Sequence, residues 1–215
     1  MSKLFDLLLS FTLIDSIFQL IKLDLRVRKA EYLLYILGLL GYFGMILSTY
    51  LDYFLEQNNY VFDQHLMFEW SNICGVAFIL SGLAFLIYNS KPPFARFPIL
   101  LCFIPIMIIP AYYFSLSTLA LKEWILMIYE SGAFLVALLM FGALIRKSLN
   151  YIIILMALIV ILAGYILSHT DTQVATSAEW IWKSFIISGM FILIHGFYKI
   201  EQKDEESYTK VQSLN

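Results

Sequence analysis

The sequence predicts an all-α integral membrane protein, a bundle of seven transmembrane helices with its N-terminus outside and its C-terminus in the cytoplasm. Three observations lead there. Of 215 residues, 61% are hydrophobic and only 14% are charged, too few charges to coat a soluble domain of this size. The apolar residues fall in runs of about 20, the length that spans ~30 Å of hydrocarbon as a helix. The lysines and arginines alternate between connections, as the positive-inside bias requires.

The first span is predicted over residues 4–21. It carries Asp6 and Asp15, but 18 residues at 1.5 Å rise reach about 27 Å. Thr12, Asp15, Ser16 and Gln19 share one face, as in a helix turned toward a bundle interior. An interfacial amphipathic helix is the competing reading, and the polar face is thin for that. The segment lacks a small-residue cleavage site, so it is expected to be retained. Six further spans follow over 33–54, 69–88, 96–115, 123–145, 150–168 and 173–198. Pro105 and Pro110 are expected to bend the fourth. Gly38, Gly41 and Gly44, with Gly75 and Gly82, permit close helix contacts.

Lys22, Arg26, Arg28 and Lys29 follow the first span. Lys91 and Arg96 lie between the third and fourth, Arg146 and Lys147 between the fifth and sixth, and Lys199, Lys203 and Lys210 in the tail. The opposite side holds Lys122 and Lys3 beside Asp52, Glu56, Asp63, Glu69, Asp171 and Glu179. The domain is expected over 1–200, with 201–215 a disordered cytoplasmic tail. A multi-pass protein of the cell membrane follows. Its expected partners are the bilayer, protons or small ions, and a second copy of the chain, with no nucleic acid. Cys74 and Cys102 fall at different depths, which argues against a disulfide between them.

The residue that carries chemistry is Lys183, inside the last span. A charged side chain near a helix centre costs ~2.5–3.5 kcal/mol on insertion scales, so a partner must be named. With the span beginning at Gln173, Lys183 would sit ~15 Å deep. Glu179 stands four residues earlier, one turn away on the same face. Glu69 and Glu130 are the other candidates for a structural ion pair. The functional alternative is a Schiff base between the amine and a carbonyl ligand, with carboxylates as counter-ions. Glu-Trp recurs at Glu69-Trp70, Glu123-Trp124 and Glu179-Trp180; the plain reading is an aromatic belt with acids at helix N-termini.

The run Ala178-Glu179-Trp180-Ile181-Trp182-Lys183 resembles the seventh-helix signature of microbial rhodopsins, and Phe68-Glu69-Trp70 resembles their third-helix signature. Tyr151-Ile152-Ile153-Ile154 and the Asp6, Ser10-Phe11, Arg26, Lys29 pattern are similar to the proteorhodopsin side of that family. The resemblance implies retinal on Lys183 as a protonated Schiff base. It implies Glu69 as primary counter-ion and proton acceptor, and Glu179 as second counter-ion. Trp70, Ile73 and Cys74 would line one wall, with Ala157 and Val160 from the sixth helix. The implied activity is light reception with proton movement or signalling. The chain departs from the pattern in three places: Leu66 replaces an arginine, Leu80 a proton donor, and Ala157, Val160 and Ile161 the sixth-helix aromatics and proline. These departures argue against efficient outward pumping. The competing class is a non-photoactive transporter or complex subunit in which Lys183 makes a structural ion pair.

Asp63 with His65, and His169 with Asp171, have oxygen and nitrogen donors at metal-ligand spacing, though no metal is expected. No Ser/His/Asp set, phosphate loop or Cys/His cluster appears, so an enzyme is not expected.

Overall fold

The computed structural model describes residues 2–56, 64–90, 103–116, 118–168 and 179–212. These residues form α1 (Ser2–Val27), α2 (Ala30–Glu56), α3 (Gln64–Ser90), α4 (Ile104–Ser115), α5 (Leu119–Leu144), α6 (Tyr151–Ser168) and α7 (Glu179–Gln212). Every described element is a helix. Six are long and apolar enough to cross a membrane: Leu4–Val27, Ala30–Ser48, Glu69–Asn89, Trp124–Leu144, Tyr151–Ser168 and Glu179–Lys203. The predicted helical membrane character holds at that level. Helix α4 has 12 residues, about 18 Å; residues 96–102 of the predicted fourth span lie outside the described residues. Pro105 stands in its first turn, where a missing N–H is harmless. Pro110 lies inside it.

Helices α1 and α7 run furthest past their predicted ends, for the same reason. Hydropathy marks where a helix leaves lipid, whereas good helix formers carry the backbone onward into water. Helix α1 therefore continues to Val27, with Lys22 and Arg26 on its last turns. Helix α7 continues through the polar sequence from Glu201, expected to lack structure, as far as Gln212. Helix α1 stops at Arg28, which takes a left-handed conformation (φ 54°). Its N–H donates to the Asp24 carbonyl at 2.6 Å, an αL cap built without glycine.

The chain divides into two compact units, Met1–Gln19 with Ala137–Asn215, and Leu20–Val136. In the second, α2 and α3 pack antiparallel along the predicted glycine face. A methyl at Gly41 would lie 2.7 Å from the Ser71 carbonyl oxygen and 2.8 Å from Gly75 Cα, so the backbones approach as small-residue seams allow. Near the other end of this seam Asn89 Nδ2 donates to Glu31 Oε2 at 2.8 Å. Helix α4 closes on α3 through Ile73, Ala77, Ile109 and Tyr113, all buried.

In the first unit, α6 and α7 also pack antiparallel through glycine. A methyl at Gly164 would meet the Trp182 carbonyl oxygen at 2.9 Å, and one at Gly189 the Ala157 carbonyl oxygen at 3.1 Å. Helix α1 runs parallel to α7: Asp6 meets Lys183, and further along the Tyr198 hydroxyl donates to the Gln19 carbonyl at 3.1 Å.

Candidate functional site

Lys183 is the focus of the first unit. Its ammonium lies 2.6 Å from Asp6 Oδ1 and 3.0 Å from Glu179 Oε2. The lysine side chain is 6% exposed, while Asp6 and Glu179 are 33% and 43% exposed. A buried cation thus sits beneath two acids that reach the surface. Glu179 comes from the helix itself through the i,i+4 geometry. Asp6 comes from the parallel helix α1, so this contact joins the two ends of the chain. The ammonium also lies 5.1 Å from the centroid of the Trp182 ring, within cation–π range. Trp180 faces Phe5 on α1, ring centroids 6.1 Å apart, giving the same pair of helices an apolar contact.

Depth follows from the helix. Lys183 lies four residues beyond Glu179, the first described residue of α7, or ~6 Å along the axis. Residues 173–178, on which the deeper sequence estimate rests, lie outside the described residues.

The remaining predicted site residues fall into separate settings. Glu69 belongs to the second unit, where it bonds Lys122 Nζ at 3.0 Å; the two side chains are 21% and 19% exposed. Lys122 also lies 5.2 Å from the Tyr113 ring centroid and 5.8 Å from that of Phe114. Trp70 stacks on Phe114 at 4.1 Å while keeping an exposed face. Ile73 is fully buried, and Cys74, a free thiol, packs at the edge of the same α3–α4 core. Glu130 is buried in α5. Trp70, Trp124 and Trp180 are all exposed, as an aromatic belt requires.

Ala157 and Val160 lie on α6. Ala157 has no exposed surface, and its carbonyl borders Gly189 in the α6–α7 seam. Residue 189 is six positions beyond 183, about 120° around the helix at 100° per residue. Ala157 is therefore held against a different face of α7 from the one that carries the Lys183 amine.

Asp6 is the partner of Lys183 that the sequence reading missed. The signal existed: an acid in an apolar segment is a charge that needs a cation at its own depth. Among the described residues, no group of three or more His, Cys, Asp or Glu side chains could hold a metal. Asp63, His169 and Asp171 lie outside the described residues. Comparison of the chain with protein-family models, with curated proteins and with solved structures finds no match.

Proposed function

We propose that this chain is a non-photoactive, multi-pass protein of the cell membrane, a small-solute transporter or complex subunit. In it Lys183 makes a structural ion pair, clamped by Asp6 and Glu179. The observation that carries this reading is the pair of ionic contacts on Nζ, 2.6 Å and 3.0 Å from carboxylates on two different helices. Two carboxylates within bonding distance compensate the lysine's charge where it stands, which is what a structural ion pair requires. No catalytic activity is assigned to it.

Seven crossings, with an outside N-terminus, make the best topology, and the direction of α7 supports them. Helices α1 and α7 run parallel, so an even number of crossings separates their starts. The six long helices alone would alternate to leave α7 antiparallel to α1. A crossing by the segment that includes α4 restores the parity. The basic residues at the Val27 end of α1 and the Lys199 end of α7 then share the cytoplasmic side.

The retinal reading keeps one supporting feature, two carboxylates beside the lysine. Expression with all-trans retinal separates the two. The ion-pair reading predicts a folded protein with no visible band. A band bleached by hydroxylamine and lost in Lys183→Ala would overturn it.

A further inference from the structure

The end of the first unit away from Lys183 carries cations of a different kind. The connection between α5 and α6 holds Arg146 and Lys147, both exposed, and α7 brings Lys199 and Lys203, also exposed, to the same corner. Two contacts tie these pieces together. Asn150 Nδ2 donates to the Lys199 carbonyl at 3.3 Å, and Lys203 Nζ donates to Ser148 Oγ at 3.2 Å. Lys183 and Lys122 each hold a carboxylate. Among the described residues, Arg146, Lys147, Lys199 and Lys203 have no ion-pair partner. Four positive charges therefore meet with no acid among the described residues bonded to them.

We infer that this corner binds the phosphate of an anionic phospholipid headgroup. Charge alone fits any phosphate; the apolar surroundings select the lipid. Leu149, between the cations and α6, is 72% exposed, and Ile152 on the first turn of α6 is exposed as well. The basic corner thus adjoins exposed apolar residues of the connection and of α6. A ligand that joins a phosphate to acyl chains matches both parts, whereas a soluble anion uses only the first. Juxtamembrane lysines and arginines attract anionic lipid in this way, at a strength equivalent to about fivefold in affinity for each cation.

The test is binding of fluorescent phosphatidylglycerol to the purified full-length chain in neutral detergent, with phosphatidylcholine as the uncharged comparison. Wild type should prefer phosphatidylglycerol, and added salt should erode the preference. The double variant K147Q/K199Q leaves Ser148 and Lys203 in place and should weaken phosphatidylglycerol binding by roughly 25-fold. K147R/K199R should bind as wild type does, which separates charge from misfolding. Equal affinity for the two lipids, or an unchanged K147Q/K199Q, overturns the inference. Displacement of the lipid by millimolar inorganic phosphate overturns it too, since the corner would then be a soluble-anion site.

Discussion

Lys183 in one unit and Lys122 in the other are both amines paired with acids near the start of a helix, yet they are built differently. Lys183 is 6% exposed and holds two carboxylates, one from another helix. Lys122 is 19% exposed, holds Glu69 among the described residues, and leans on Tyr113 and Phe114. Burial decides what each pair contributes. A cation out of water must be compensated where it stands, and removing one partner strands the other charges. A cation that water still reaches loses little when its partner is gone. The first pair is part of how the helices are held; the second decorates a packed aromatic surface.

That difference can be broken from either side by measuring unfolding in mixed micelles. Lys183→Met should have the largest effect, about 3 kcal/mol of destabilisation, because Asp6 and Glu179 are left facing each other without a cation. Asp6→Asn should follow at about 2 kcal/mol, since it removes the shorter contact and the charge link that ties α1 to Lys183. Glu179→Gln should cost about 1 kcal/mol: its carboxylate is more exposed, and its bond stays within α7. Lys122→Met should lie below ~1 kcal/mol, and added salt should shrink even that small loss. A Lys122→Met variant as damaging as Lys183→Met would erase the distinction between the two units.

Most of the helical framework was legible in the sequence, because an apolar run of about 20 residues has few alternatives in lipid. The glycine faces were legible too: Gly38 and Gly41 stand where α2 meets the backbone of α3. Helix ends past Ile21 and Tyr198 were not, because hydropathy reports the lipid boundary and the backbone need not stop there. The Lys183 site was half legible. Glu179 follows from a four-residue spacing within one helix. Asp6 depends on which helices become neighbours, and nothing in the local sequence of α7 encodes that α1 runs parallel beside it. The resemblance to a retinal site singles out Lys183 and Glu179 but points to Glu69 as the further acid. Ala157 shows a related difficulty. A small residue at a helix position suits a ligand wall and a helix seam equally well; the contact with Gly189 puts its carbonyl in the seam.

A double-mutant cycle on Asp6 and Lys183, with Asp6→Asn, Lys183→Met and the combined variant, tests the central claim most directly. Paired residues are non-additive, and the clamp predicts a coupling of about 1–2 kcal/mol, with the double variant more stable than the two single losses would sum to. Additive losses, with no coupling between the two positions, would contradict it.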